Sequence, residues 1–388
     1  MKIAIFSDTF PPQVNGVANI AYQSAKILSE LGHKVIVFAV AKKSPKNSNV
    51  LESENLKIVR LPSLPALVYP GERLAIPFFV SLPHIIKFKP NIIHIHTPFL
   101  VGWEGILAAK ILKIPLVGTH HTFYDHYLKH AKLDYRWMKK VSWKYTVACY
   151  NFCDLVLSPA QCLIDTLSEK GLKRQTEIMR NWVDTDLFQP VSSKQEKNNI
   201  KKSFGIKDKS VLFFGRLSYE KSIDYIIKAF ALMLKKMPDL KLMIVGDGPE
   251  RKKLEKLTDN LKIKDNVIFT GFLYKKELAT ALQANDIFLT ACKNETRPLS
   301  ILEAMATGLP LVMVREKGLV DLLFDRVNGF FSSTDDPQDM AEKTMVLLSN
   351  SKLLKKFGEK SRLLAVEHSQ KKVIKTLVEF YEKLKTTK

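Results

Sequence analysis

VLFFGRLSYEKSIDYIIKAFALML, residues 211–234, is the stretch on which the fold class turns. Val211 to Phe214 is a short, wholly apolar run ended by Gly215, as expected of a strand covered on both faces. Ile223, Ile226, Ile227, Phe230 and Leu234 then recur at i, i+3, i+4, i+7 and i+11, one apolar stripe of a helix. Downstream, further strands are predicted at Leu242 to Val245, Val267 to Thr270, Ile287 to Thr290 and Leu311 to Val314. Upstream, strands are predicted at Ile3 to Phe6, Val35 to Val40, Ile58 to Leu61, Ile92 to Ile95, Leu116 to Gly118, Leu155 to Leu157 and Glu177 to Met179. Helix-like stretches separate most of them. Val17 to Leu31 is the first, with Val17, Ile20, Ala21, Ser24 and Leu28 on one face and Gly32 as its stop. This alternation predicts α/β architecture: parallel sheets with helices on both faces.

The rhythm breaks from Asp184 to about Asn199, a polar stretch containing Pro190 that reads as a linker. Two Rossmann-like domains are therefore expected, over 1–190 and 200–370, facing each other across a cleft. Lys371 to Lys388 reads as a basic amphipathic helix with Val373, Leu377, Phe380 and Leu384 as its stripe. The length of 388 residues suits two domains, and a hydrophobic share of 46% is ordinary for two packed cores. The charge is less ordinary: 60 Lys and Arg against 39 Asp and Glu give +21. Such a surplus draws polyanions, anionic membranes and charged ligands, without choosing among them. Four cysteines with no CxxC pair argue for reduced thiols rather than a zinc site. With no signal peptide and no apolar run of membrane-spanning length, a cytoplasmic location is expected.

Ligands of open α/β sheets bind beyond the carboxyl ends of the strands, so the residues there carry the chemistry. Ser7 to Pro12 follow the first strand, and Asn15-Gly16-Val17 opens a helix. Gly16 lets backbone amides approach a phosphate at a helix N-terminus, although a plain strand-to-helix turn reads the same way. Thr119-His120-His121-Thr122 follows another strand; adjacent histidines diverge, so at most one faces a ligand. His94 and His96 share one face and read as structural. Arg216 and Lys221 can meet on one anion and offset the charge of a departing diphosphate without a metal. Glu295, and Glu303 on a helix running from about Pro298 to Gly308, offer two carboxylates for sugar hydroxyls; a mere charge balance is the plainer reading of Glu303. Asp184-Thr185-Asp186 spells a metal-binding DxD, but its place at the linker makes it a decoy.

Together these stretches resemble the retaining family 4 glycosyltransferases of the GT-B fold, over nearly the whole chain. They are Phe6 to Pro12 with Asn15-Gly16-Val17, Thr119 to Thr122, Phe214 to Leu217 with Glu220-Lys221, Val245 to Pro249, and Glu295 and Glu303 ahead of Ala304-Met305-Ala306. The resemblance implies that Gly16 approaches the donor diphosphate and that His121 sits by the transferred hexose. It implies that Arg216 and Lys221 hold the diphosphate, Glu295 the sugar and Glu303 the ribose. It also implies an acceptor-binding first domain, a nucleotide-sugar-binding second domain, a terminal helix that packs back on the first, and no metal or other cofactor. Pro298 stands where the family commonly has glycine, which removes a backbone donor.

Within the family, His96 to Leu100 and His121 to Tyr124 make the chain look most like bacterial diacylglycerol glycosyltransferases. That implies a hexose, glucose from UDP-glucose, moved to a lipid acceptor such as diacylglycerol. Independently, Tyr127 to Tyr145 reads as a helix with Lys129, Lys132, Arg136, Lys139, Lys140 and Lys144 on one side and Trp143 among them. Such a face suits an anionic membrane surface, placing the protein peripherally on the inner face of the cell membrane. Trp137, Val141 and Tyr145 are expected on the opposing face. The competing readings are a soluble sugar or other lipid acceptor, and a basic nucleic-acid-binding protein, for which no motif is present.

Overall fold

The computed structural model describes residues 1–13, 15–41, 52–65, 73–76, 79–121, 135–292, 299–315 and 320–387. They form two compact units: Met1–Asn181 with Val373–Lys388, and Trp182–Lys372.

The first unit is built on β1 (Lys2–Ser7), β2 (Lys34–Val40), β3 (Leu56–Leu61), β4 (Ser63–Pro65), β5 (Arg73–Ala75), β6 (Ile92–Ile95), β7 (Leu116–Thr119), β8 (Leu155–Ser158) and β9 (Gln175–Ile178). β4 and β5 pair antiparallel; the other seven make one parallel sheet in the order β3-β2-β1-β6-β7-β8-β9. The strand order reverses between β1 and β6, so the crevice of this sheet opens beyond those two carboxyl ends. The first helix, Gly16–Glu30, is capped by Asn15, whose side chain accepts from the Ala18 amide, and it ends before Gly32 in the left-handed region (φ 83°).

The second unit holds β10 (Ser210–Phe214), β11 (Lys241–Val245), β12 (Val267–Gly271), β13 (Ile287–Thr290), β14 (Leu311–Val314) and β15 (Gly329–Ser332). All six are parallel in the order β12-β11-β10-β13-β14-β15, and the reversal falls between β10 and β13. Apart from the edge strands β12 and β15, their residues are almost wholly buried, which is why each reads as an unbroken apolar run.

Two expectations are corrected. The stretch read as a linker contains a helix, Lys194–Ser203, whose Ser193 cap accepts from the Glu196 amide. Its Lys197 and Lys201 both pair with the buried Asp286 ahead of β13, at 2.8 and 2.6 Å. The unit boundary consequently lies at 181/182 rather than between 190 and 200. The terminal helix runs Gln370–Thr387, but its buried line is Val373, Ile374, Leu377 and Tyr381; Phe380 and Leu384 are only half-buried. From Val373 onward it belongs to the first unit.

Candidate active site

In the second unit the residues beyond β10 and β13 are tied together at the sheet's reversal. Gly215, Arg216 and Leu217 run beside Gly246, Asp247 and Gly248: Gly215 donates to the Val245 carbonyl and Leu217 to that of Asp247, both at 3.0 Å. A Cβ on Gly246 would lie 2.0 Å from the Gly215 oxygen, and one on Gly248 2.4 Å from that of Leu217. The two glycines of this turn thus serve close backbone packing that fixes the base of Arg216. A single 3-10 turn, Tyr219–Lys221, follows, and Ser222 (φ 49°) leads into the helix Ile223–Leu234. From the other side of the reversal, Cys292 Sγ donates to the Glu220 carbonyl at 3.1 Å.

Arg216 is exposed, and its side chain forms no ion pair or hydrogen bond with a described residue. Lys221 is half-buried on the 3-10 turn. Glu303 stands on the helix Leu299–Ala306, the next element after β13. Its carboxyl is half-buried and has no partner among the described residues, and burial lifts it to about 8. A guanidinium, an ammonium and an uncompensated carboxyl therefore all issue from the ends of the two strands at the reversal. Glu295 lies outside the described residues.

The first unit treats its reversal differently. Asp8, just past β1, accepts from the amides of Val101 (2.8 Å) and Gly102 (3.4 Å) and from the Thr97 hydroxyl (2.6 Å). It thereby caps the helix Leu100–Leu112, and burial raises its carboxyl to about 6. A Cβ on Gly102 would meet the Thr97 carbonyl oxygen at 2.0 Å, so no larger residue fits there. The loop between Asp8 and Gly16 is held by Arg60, which donates to the carbonyls of Pro11 and Val40 and lies 5.3 Å over the Phe10 ring. Gly16 is exposed at the first helical position, and a Cβ there would touch nothing within 4 Å. The chain's own packing does not call for glycine at that point.

His120 and His121 diverge beyond β7. His120 packs edge-on to Tyr150 (5.4 Å) and beside Trp143 (6.0 Å), inside the core. His121 meets His96, Nε2 to Nδ1 at 3.1 Å with rings 13° from parallel. His94 is held at both nitrogens, by the Tyr381 hydroxyl at 2.6 Å and the Thr119 hydroxyl at 2.7 Å. Burial lowers His94, His120 and His121 to about 3 and His96 well below its ordinary value, so all four are neutral. Asp8, Arg60 and His96 escaped the sequence reading as site-building residues, although Asp8 lies within its first quoted motif. Asp184 of the DxD is a turn residue: its Oδ1 accepts from the amides of Asp186 and Leu187 at 3.1 and 3.0 Å.

Of the membrane-face residues, Lys129 and Lys132 lie outside the described residues. The helix Arg136–Tyr150 carries Arg136, Lys140 and Lys144 exposed and Lys139 half-buried. Trp143 is a correction: it is buried with Val147 and Tyr150 in the core, since positions i, i+4 and i+7 share one face. The exposed apolar residues are instead Trp137 (64%) and Val141 (55%), which the charged ones flank. No helix among the described residues is long and apolar enough to cross a membrane.

Two parallel-sheet Rossmann-like domains, with cationic and carboxyl groups at the reversal of the second, define a GT-B glycosyltransferase. The UDP complex of Anabaena HepE has this fold, with a TM-score of 0.82, 20% identity and coverage of 99% of this chain and 100% of that one. The Glycosyltransferase Family 4 pattern matches residues 14–187, and that of Glycosyl transferases group 1 matches 195–364. The alpha-monoglucosyldiacylglycerol synthase of Streptococcus pneumoniae is 34% identical over 85% of this chain and 74% of its own. The enzyme of the same name from Acholeplasma laidlawii is 28% identical over 87% of this chain and 86% of its own. The chain belongs to the family 4 glycosyltransferases, and within them it resembles the diacylglycerol glycosyltransferases.

Proposed function

We propose that the protein is a retaining, metal-independent glucosyltransferase that moves glucose from UDP-glucose to diacylglycerol at the inner face of the cell membrane. The observation that carries this reading is the set of groups at the reversal of the second sheet: Arg216 exposed, Lys221 near it in the chain, and Glu303 half-buried, with neither Arg216 nor Glu303 side chain paired among the described residues.

In the proposed reaction Arg216 and Lys221 bind the diphosphate and offset the charge that grows on it as the glycosidic bond breaks. Glu303 accepts from the ribose hydroxyls, which repays the burial of its carboxyl. Gly16 leaves room for the diphosphate at a helix N-terminus. His121 contacts the transferred hexose, and Glu295 is assigned to the same sugar. The acceptor hydroxyl attacks the face from which the diphosphate departs and gives its proton to the leaving phosphate, so the anomeric configuration is kept. The first unit binds the acceptor and the second the nucleotide-sugar. Glucose and diacylglycerol are supported by the names of the two relatives, and UDP by the solved complex. Arg136, Lys140 and Lys144 around Trp137 and Val141 supply a basic rim and an apolar centre for an anionic bilayer.

The test is a donor screen with purified protein and vesicles of phosphatidylglycerol containing dioleoylglycerol, with products read by mass spectrometry. Glucosyl-dioleoylglycerol of α configuration, formed from UDP-glucose with chelator present, is the expected product. Transfer only to a soluble sugar would refute the lipid acceptor, and loss of activity in chelator would refute metal independence.

A further inference from the structure

β6 and β7 lie in register from Ile93 opposite Leu116 to Ile95 opposite Gly118. The residues just beyond them, His96 and His121, consequently emerge side by side, with Nδ1 of His96 3.1 Å from Nε2 of His121. Two neutral imidazole nitrogens at that distance share one proton: one ring donates and the other accepts. The remaining nitrogen of His96, Nε2, is buried and has no hydrogen-bond partner among the described residues. If His121 were the donor, His96 would carry its own proton on Nε2 and bury an N–H with nothing to accept it. If His96 donates from Nδ1, the orphan is a bare lone pair. Orphaned buried N–H groups are the rarer and costlier case. His96 is also wedged in place, its ring centroid 4.3 Å from that of His94, which Tyr381 and Thr119 fix at both nitrogens.

We propose that His96 is a positioning residue: its Nδ1–H holds His121 in the tautomer protonated on Nδ1, so that His121 meets the transferred hexose as a hydrogen-bond donor and not as a base. The nitrogen of His121 that does not face His96 is Nδ1, and in this tautomer it carries the hydrogen. The functional half of the proposal rests on the assignment of His121 to the hexose; the tautomer half does not.

The experiment combines histidine-labelled protein, read by two-bond 1H–15N correlation, with turnover of UDP-glucose on dioleoylglycerol/phosphatidylglycerol vesicles. His121→Ala assigns the resonances. His96→Asn keeps an amide nitrogen near the Nδ1 position, whereas His96→Leu fills the space without a donor. The expected results are an Nδ1–H tautomer for His121 in the wild type and in His96→Asn, and its loss in His96→Leu. With that loss kcat falls about 10- to 100-fold, as when other groups that orient a functional histidine are removed; donor KM stays near wild type, and His96→Asn recovers most of the rate. An Nε2–H tautomer for His121 in the wild type overturns the proposal. So does wild-type kcat in His96→Leu when His121→Ala has lost it. If His121→Ala itself turns over normally, the hexose contact fails instead, and the wild-type tautomer alone decides the pairing. That spectrum also decides it should His96→Leu not fold.

Discussion

The two sheets reverse their strand order in the same way, yet they finish the crevice with opposite chemistry. Beyond β10 and β13 two polar side chains are left over among the described residues: Arg216, exposed without a counter-charge, and Glu303, raised to about 8 by burial with no partner. Beyond β1 and β6 most are spoken for: Asp8 is taken up by Val101, Gly102 and Thr97, His94 by Tyr381 and Thr119, and His96 and His121 by each other. A surface that must receive a charged ligand keeps its charge unneutralised at a cost in stability. One that must present a fixed shape spends its polar groups on itself.

The strongest way to break this comparison is to remove the two cations. Lys221→Ala and Arg216→Ala should each reduce kcat/KM about 10²- to 10³-fold, the typical loss for one group stabilising developing negative charge. Their thermal unfolding should stay close to wild type, because neither side chain is buried in the core. Near-normal turnover in both would end the diphosphate assignment. The glycines divide next. Gly102→Ala forces a Cβ against the Thr97 carbonyl and should destabilise the first unit by about 3 kcal/mol, at the upper end of overpacking costs. Gly16→Ala enters open space and should leave unfolding unchanged while weakening donor binding. A melting point lowered by Gly16→Ala would show that the chain itself needs the glycine.

Glu303 sharpens the contrast through pH. Its folded pKa, about 8, lies above the ordinary 4.5, so the accepting carboxylate is complete only above about pH 8 and is lost as pH falls through that value. Donor KM should thus rise as pH drops from 9 to 7. Glu303→Gln should remove this dependence and raise KM by about tenfold or more, the worth of a hydrogen bond to a charged group. A pH-independent wild-type KM over that range would contradict the assignment. Smallest is the cap: Asp8→Ala should cost about 1 kcal/mol in urea unfolding at neutral pH. Asp8 is raised from 3.8 to about 6, so the folded chain holds a proton there that the unfolded chain has released. Its contribution to stability falls as pH rises from about 4 to 6 and is flat above. The gap between wild type and variant should track that window.

Most of the frame was legible because strands buried on both faces must be apolar throughout, as in Ile92–Ile95 and Leu311–Val314. The helix Lys194–Ser203 was not, since it is polar nearly all round and has no stripe; its lysines point to a carboxylate 85 residues away in sequence. Trp143 misled for a related reason. A helix with aromatics on two faces does not say which one faces the core until its neighbours are in place. At the candidate site, Gly16, Arg216, Lys221 and Glu303 could be nominated because each follows a strand. The partners of His121 were hidden, because pairing across β6 and β7 depends on register, which single-chain periodicity does not carry.

Tyr381 follows the whole of the second unit in the sequence, yet its hydroxyl occupies a nitrogen of His94 in the unit made mostly of residues 1–181. During synthesis, the half of the molecule that leaves the ribosome first is therefore the half that must wait. Its sheet can assemble early, but the groove for Ile374, Leu377 and Tyr381 stays unfilled until the second unit has been translated in full. The order of manufacture and the order of completion are reversed.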